Sequence, residues 1–196
     1  MNIFRVAPWL ALALAACQPA VPAKQENPPL AGARIGGPFA LVDQNGRAIT
    51  NDSFAGKYRI MYFGYTFCPD VCPTDVAVIG NAVKLVEKND PALGARVVPV
   101  FVTVDPARDT PAVLKQFVAA FHPRMIGLTG SADAIARVAK GYAIFYGRGD
   151  ASPGGGYLVN HSRQAYLMDP KGKPLALLPQ EQGAEAVAAE IEHWAK

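Results

Sequence analysis

Two cysteines four positions apart have the clearest chemical potential in this sequence. Cys68 and Cys72 lie in residues 64–75, GYTFCPDVCPTD, between an apolar run and a helical pattern. If a helix begins at about Cys68 or Pro69, positions i and i+4 share one face, and the two sulfurs can form a disulfide or bind one ion. A cysteine at a helix N-terminus is favoured as thiolate, the form that attacks disulfides and binds soft metals. The alternative is two buried, inert cysteines.

The three histidines differ in their surroundings. His161 follows the glycine-rich stretch GGGYLVN and is predicted at the end of a loop, from which its side chain can reach another site. The alternative for His161 is an ordinary surface histidine. His122 stands at the end of a predicted helix, where a cation suits the helix dipole. For His122 and for His193, on the last predicted helix, we expect structural or surface roles.

Two short apolar runs flank the helix that follows the cysteines. Residues 60–65 and 97–104 are rich in β-forming residues and lack polar alternation, which is typical of strands buried on both faces. Residues 74–88 carry apolar side chains at helical spacing. The cysteine pair is therefore predicted at a junction between a buried strand and a helix.

Further elements complete a mixed α/β pattern. Thr110 and Ser131 are suitable N-caps for two more helices, and Pro111 suits a first helical turn. The turn at 44–46 predicts an N-terminal hairpin, and residues 164–168 and 174–178 predict a second hairpin, followed by a helix at 183–195. This order predicts an α/β fold with hairpins near both ends.

Composition excludes several classes of protein. The chain has 196 residues, which favours a single domain, and its 51% apolar and 18% charged residues are incompatible with intrinsic disorder. The net charge is +3 without a basic block, so we expect no nucleic-acid partner. Three cysteines are too few for a disulfide scaffold.

The N-terminus has the pattern of an exported lipoprotein. The apolar run at residues 6–16 is too short to span a membrane and ends in LAAC, which is similar to a bacterial lipobox. We therefore predict a signal peptide at 1–16 and lipidation of Cys17; the alternative is an ordinary secretory signal. The proline-rich residues 17–36 are predicted to be a flexible tether to the membrane, and 37–196 the globular domain on the periplasmic side.

Three separated motifs resemble the SCO/SenC family, thioredoxin-like proteins that assemble the copper centre of cytochrome c oxidase. GYTFCPDVCP is similar to the family's C-x-x-x-C signature, and VDPARDTP at 104–111 is similar to its V-D-P-x-R-D-T-P segment. Residues 159–172 resemble the strand that carries its copper histidine. The resemblance covers residues 37–196 and implies a thioredoxin-like fold, with a central mixed sheet flanked by helices and an N-terminal hairpin.

Two features depart from the family pattern. Asn160 stands beside the histidine where the family commonly has Asp, which removes a possible charge. The lipobox at Cys17 replaces the single membrane-spanning anchor that is common in the family.

By this resemblance, Cys68, Cys72 and His161 are copper ligands, and the two cysteines are a redox pair able to form a disulfide. Two thiolates and an imidazole suit Cu(I), and two thiolates keep the site convertible to a disulfide. Structural zinc is disfavoured because it usually takes four protein ligands. Asp105 and Asp109 are candidates for supporting this site from outside the ligand set; the alternative roles are a loop turn and a helix cap.

The resemblance implies a copper metallochaperone that delivers Cu(I) or Cu(II) to cytochrome c oxidase subunit II and reduces its cysteines, or that serves another copper or thiol protein. The main alternative is a thiol–disulfide oxidoreductase of exported proteins, with Cys68 and Cys72 as catalytic residues. His161 favours copper because a dithiol reductant does not need it. A peroxiredoxin-type peroxidase is disfavoured, because Pro69 and Tyr65 stand where its P-x-x-x-[ST]-x-x-C pattern needs Ser or Thr and Pro.

Overall fold

The computed structural model describes residues 26–151 and 156–196. The strands of this part of the chain are β1 (Ala40–Asp43), β2 (Ala48–Thr50), β3 (Tyr58–Gly64), β4 (Val97–Thr103), β5 (Ile126–Thr129), β6 (Tyr146–Ala151), β7 (Tyr157–His161), β8 (Ala165–Met168) and β9 (Pro174–Leu178). The helices are α1 (Val71–Asn89), α2 (Pro91–Gly94), α3 (Pro111–Ala119), α4 (Ala132–Gly141) and α5 (Ala184–Trp194).

Seven strands form one mixed sheet in the order β2-β1-β5-β4-β3-β8-β9. β3 lies at its centre, parallel to β4 and antiparallel to β8, and α1 makes the crossover between β3 and β4. The predicted hairpins are present as β1–β2 and β8–β9. The predicted α/β class, with a central mixed sheet and an N-terminal hairpin, is confirmed.

The sheet is covered on both faces because successive side chains of a strand point to opposite sides. Ile60 and Tyr62 of β3 pack in a cluster with apolar residues of α1, α3 and α5. Met61 and Phe63 pack in a second cluster, to which α4 contributes. Burial on both faces explains why β3 is a continuous apolar run in the sequence.

Helix α1 begins later than the sequence suggested. We expected a start at Cys68 or Pro69, but the first helical residue is Val71, with Asp70 as the N-cap residue. Pro69 disfavours the α region for Cys68, which lies outside the helix. Cys72 precedes Pro73 and is nevertheless helical, so a following proline alone does not set the start of α1. Pro73 is tolerated because the first turn of a helix has no intrahelical acceptor for its N–H groups.

The prediction of a loop carrying His161 was wrong. His161 is the last residue of β7, which pairs antiparallel with β6 in a separate two-stranded sheet, with Tyr146 opposite His161. β6 reads YGRGDA, and two glycines and an aspartate give it weak strand propensity. Pairing between the two segments, rather than local preference, forms this sheet.

The end of the predicted tether packs against the domain. The Leu30 N–H donates to the Leu175 carbonyl at 2.9 Å, and the Gly36 N–H donates to the Gly141 carbonyl at 2.8 Å. Leu30 and Ile35 also contact the second apolar cluster. The packed part of the chain therefore begins before residue 37. Cys17 and the predicted signal peptide lie outside the described residues, and none of the helices in 26–151 and 156–196 has the length and apolarity needed to cross a bilayer.

Candidate metal centre

The structure brings Cys68, Cys72 and His161 together at the end of the central strand. Their ligand atoms, two Sγ and one imidazole nitrogen, all lie within 4.8 Å of one another. The Cys72 Sγ is 3.0 Å from the His161 Nε2. Cys72 is fully buried, whereas Cys68 and His161 are half-buried and line an open pocket of about 310 Å³. Within residues 26–151 and 156–196, this is the one group of three or more His, Cys, Asp or Glu side chains arranged to hold a metal ion.

Gly64 allows the cysteine-bearing helix to approach the sheet. A Cβ at this position would lie 3.0 Å from the Cys72 Sγ and 3.1 Å from Phe101 and Tyr62. The chain leaves β3 through this glycine and reaches α1 by a short turn, in which the Cys68 N–H donates to the Tyr65 carbonyl at 3.3 Å. The absence of a side chain at Gly64 therefore makes room for the buried sulfur.

Cys68 benefits from the helix N-terminus although it lies before the helix. Its Sγ accepts a hydrogen bond from the backbone N–H of Cys72 at 3.4 Å. That N–H is one of the first-turn donors without an intrahelical acceptor. The electrostatic environment expected from the sequence is thus present, with a different geometry from the one predicted.

His161 is oriented by its neighbours. Its Nδ1 lies 2.8 Å from the Ser162 carbonyl oxygen, and because a carbonyl only accepts, Nδ1 carries the proton of the neutral ring. The lone pair of Nε2 is then directed at the cysteines, the arrangement that a metal-binding histidine requires. The rings of Tyr65 and Tyr62 stand at 89° to the imidazole, at centroid distances of 5.9 and 6.5 Å.

The two thiols have opposite acidities. A hydrogen bond from the Cys72 side chain, assisted by backbone N–H groups, lowers the pKa of Cys68 to about 3 against the opposing effect of burial. The same hydrogen bond, together with burial, raises the pKa of Cys72. Before a metal binds, Cys68 is therefore the accessible thiolate and Cys72 the buried proton donor.

Asp105 and Asp109 lie outside the ligand cluster, and their hydrogen bonds hold the segments that carry the ligands. Fully buried Asp109 accepts hydrogen bonds from the Thr66 N–H at 3.0 Å, from its hydroxyl at 2.6 Å and from the Thr103 hydroxyl at 2.6 Å. It thereby fixes the turn that leads to Cys68. Burial raises the pKa of the Asp109 carboxyl. The N-cap of α3 is Thr110, so Asp109 does not cap that helix.

Asp105 connects the loop after β4 to the start of β7. It accepts a hydrogen bond from the Tyr157 hydroxyl at 2.7 Å and pairs with the Arg108 guanidinium. The Arg108 guanidinium in turn lies over the Tyr157 ring, 3.7 Å from its centroid. Asp105 therefore acts on the histidine strand near its beginning, four residues from His161.

Sequence reasoning missed a buried polar group next to the ligands. Asp75 is 1% exposed and accepts hydrogen bonds from the Tyr62 hydroxyl and from Arg163. The sequence contains one signal for Asp75, because an acidic residue stands on the buried face of α1, one turn after Cys72. Arg163 had no such signal, because its role depends on a partner distant in sequence.

The other histidines lie away from the cluster, as expected. The buried His122 Nδ1 accepts from the Arg124 N–H at 3.2 Å, and burial lowers its pKa. His193 lies at the surface, 3.4 Å from Glu26.

The fold defines the class: it is thioredoxin-like. A thioredoxin domain of a Bacteroides vulgatus thiol–disulfide oxidoreductase has the same fold, with a TM-score of 0.58 over 83% of this chain, 96% of that domain and 16% identity. The model of the SCO1/SenC family matches residues 27–196. The chain belongs to the SCO1/SenC family, and the resemblance of its three motifs is confirmed.

Individual relatives agree with this assignment. The chain is 42% identical over 149 residues to the mitochondrial SCO1 homolog 1 of Arabidopsis thaliana, covering 76% of this chain and 43% of that protein. It is 44% identical over 144 residues to SenC of Rhodobacter capsulatus, covering 72% of this chain and 62% of that protein. It therefore spans about half the length of these curated relatives.

Copper is present in solved relatives. The crystal structure of Arabidopsis thaliana ScoI with copper bound matches with a TM-score of 0.75 and 36% identity, covering 82% of this chain and 99% of that one. In this chain, Cys68, Cys72 and His161 form a possible copper site.

Proposed function

We propose that this protein binds one copper ion through Cys68, Cys72 and His161 and delivers it to the binuclear copper site of cytochrome c oxidase subunit II. The observation that carries the proposal is the convergence of two thiols and an imidazole, all within 4.8 Å, from segments 89 positions apart in sequence. A solved relative with the same fold is described as a member of the Sco family of cytochrome c oxidase assembly proteins.

The donor set fits copper in both oxidation states. Soft thiolates favour Cu(I), whereas the imidazole adds a nitrogen ligand suited to Cu(II). A structural zinc site usually has four protein ligands, and this cluster offers three.

The accessibility of the ligands supports transfer rather than storage. Cys68 and His161 are half-buried at the pocket, so an incoming thiol or imidazole of a partner can replace them one at a time. Fully buried Cys72 is the last ligand that such a partner reaches. This order of exposure supports a copper or thiol protein as the partner.

The location proposed for the protein rests on the sequence alone. A signal peptide at 1–16 and a lipid on Cys17 place the domain on the periplasmic side of a bacterial membrane.

A second function is favoured by the acidity of Cys68. An accessible thiolate beside a buried thiol suits a thiol–disulfide oxidoreductase. Cys68 attacks a substrate disulfide, forms a mixed disulfide and releases one substrate thiol; Cys72 then attacks Cys68 and releases the second. The substrate gains two electrons and the protein is left with a Cys68–Cys72 disulfide. In the structure neither Cys68 nor Cys72 is in a disulfide.

Copper titration of the reduced protein, with thiol counting before and after, tests the first proposal. We expect one copper per chain in the reduced protein and no strong binding after Cys68 and Cys72 are oxidised to each other, because a disulfide removes both thiolates. Equal binding by reduced and oxidised protein contradicts copper ligation by these cysteines.

A further inference from the structure

Asp75 is a buried carboxylate that connects three elements around the candidate copper site. It is 1% exposed, and its Oδ2 accepts a hydrogen bond from the Tyr62 hydroxyl of β3 at 2.9 Å. The guanidinium of Arg163 donates to both carboxylate oxygens, from Nε at 3.0 Å and from a terminal nitrogen at 2.7 Å. The pair has the bidentate geometry of the strongest arginine–carboxylate contacts.

This ion pair joins the same two segments as the contact between Cys72 and His161. Asp75 lies three positions after Cys72 on α1, and Arg163 lies two positions after His161. The ion pair therefore runs alongside the contact between Cys72 Sγ and His161 Nε2, which measures 3.0 Å. Only two positions on one segment and three on the other separate the two contacts.

Within the described residues, the hydrogen bonds of Ser162 and of the Arg163 carbonyl lead to segments other than the cysteine helix. The Ser162 N–H donates to the Phe145 carbonyl at 2.8 Å, and its hydroxyl accepts from the Phe145 N–H at 3.0 Å. Gln180 donates to the Arg163 carbonyl at 2.6 Å. Phe145 precedes β6, and Gln180 lies in the turn before α5. None of these hydrogen bonds has its partner on α1 itself.

We propose that Arg163 is a positioning residue, whose ion pair with Asp75 holds the imidazole of His161 at bonding reach of Cys72. This inference rests on the proposed copper function and assigns a role to a residue that does not touch the metal. β6 and β7 form their own two-stranded sheet in the described part of the chain, and the nearest ladder of the main sheet, between β8 and β3, begins at Ala165, four residues after His161. The ion pair between Arg163 and Asp75 adds a direct side-chain contact between the segment after β7 and α1.

The test is a double-variant cycle on Cu(II) affinity, measured by competition with a chelator. The variants of the full protein are Arg163→Gln, His161→Ala and the two combined. We expect Arg163→Gln to weaken Cu(II) binding about tenfold, the low end of the range for residues that orient a metal ligand without binding the metal. In the His161→Ala background, we expect Arg163→Gln to change the affinity less than about twofold, because the residue acts through the imidazole.

The nitrogen signature of bound Cu(II) supplies a second readout. In electron paramagnetic resonance, the imidazole hyperfine coupling should become weak or heterogeneous in Arg163→Gln and be partly restored in Arg163→Lys, which keeps the charge but loses the fork. Arg124→Gln is the matched control, because Arg124 pairs with Glu87 away from the site. This control should alter stability but not the copper spectrum.

Equal losses of affinity in both backgrounds, or an unchanged affinity in Arg163→Gln, overturn the proposal. Nuclear magnetic resonance of the reduced, metal-free protein tests the positioning role of Arg163 separately from the copper function. We expect nuclear Overhauser contacts between the His161 ring and the Cys72 β-protons in the natural protein and their loss in Arg163→Gln. If the natural protein binds no copper, the proposed function fails. If the contacts between the His161 ring and Cys72 persist in Arg163→Gln, the positioning role fails.

Discussion

The sulfur of Cys68 accepts a hydrogen bond from the backbone N–H of Cys72, at 3.4 Å, although Cys68 lies three residues before the first residue of α1. Pro69 disfavours a helical conformation of Cys68, whose sulfur nevertheless lies within hydrogen-bond distance of the first helical turn. The buried Cys72 thiol also donates to this sulfur and lowers its pKa. Cys72 thus stabilises the thiolate form of Cys68, which is the form that binds metal and attacks disulfides.

The acidity of Cys68 is testable by alkylation. Because its pKa is lowered to about 3, Cys68 is a thiolate at every pH above that value, and its rate of reaction with iodoacetamide should be nearly constant from pH 5 to pH 8. In Cys72→Ala the donor is lost, the pKa rises, and the rate should fall as the pH is lowered within this interval. Peptide mapping identifies the labelled cysteine. A rate in the natural protein that rises steadily up to pH 8 contradicts the proposed hydrogen bond.

His161→Ala separates the two candidate functions. Loss of the imidazole should weaken Cu(II) binding by at least about 100-fold, the upper range for removal of a ligand's partner, and weaken Cu(I) binding less. Reduction of a model disulfide should persist, because it depends on thiolate fraction, leaving group and access. Both quantities are measured on the same preparation, with Cys68→Ser as the variant that loses both. Unchanged copper binding with a collapse of exchange assigns His161 to the thiol chemistry instead.

Gly64→Ala tests the approach of α1 to the sheet. The added methyl would lie 3.0 Å from the Cys72 Sγ and 3.1 Å from Phe101, so one of these neighbours must move. We expect a loss of about 1–3 kcal/mol in the free energy of unfolding, together with weaker copper binding. Chemical denaturation and copper titration measure the two effects.

The control for this substitution is Gly147→Ala. The contact of a Cβ at Gly147 with the Phe145 ring, at 4.0 Å, is an ordinary one. The control should therefore leave copper binding unchanged. If the two alanine variants behave alike, close packing at Gly64 is not what places Cys72.

Cys17→Ser tests the proposed anchor. A lipobox cysteine is modified before the signal peptide is removed, so the variant should remain uncleaved or mature poorly. Mass spectrometry of the natural protein should show a lipid on Cys17 at its new N-terminus. A mature chain without lipid, or cleavage at another residue, contradicts the lipoprotein assignment.

The central layers of the fold were predictable because the physical signal was local. β3 and β4 are apolar runs buried on two faces, and α1 has its apolar residues at helical spacing. The pair Cys68 and Cys72 was equally visible, since both residues lie in one short segment. The glycine-rich stretch before His161 indicated a side chain that can reach another site, and the resemblance to the family identified it as a ligand.

The rest depended on contacts between distant segments. β6 has a poor strand sequence and forms only because β7 pairs with it. The ion pair between Asp75 and Arg163 spans 88 positions, and the Leu30 contact with Leu175 spans a still longer stretch. Pairings of this kind leave no periodic pattern in either segment, so sequence reasoning placed His161 in a loop and residues 28–36 in a free tether.

Cys72 and His161 are 89 positions apart, and this separation determines how strongly a link between them restricts the entropy of the chain. A Cys68–Cys72 disulfide closes a ring of only a few residues, whereas copper bound as proposed would also join two ends of a long loop. The entropy of loop closure grows with the logarithm of loop length, so the metal would restrict the chain far more than the disulfide. Oxidation would then replace a long-range cross-link with a short-range one. We expect the emptied, oxidised protein to exchange its β6–β7 amide hydrogens faster than the copper-loaded form.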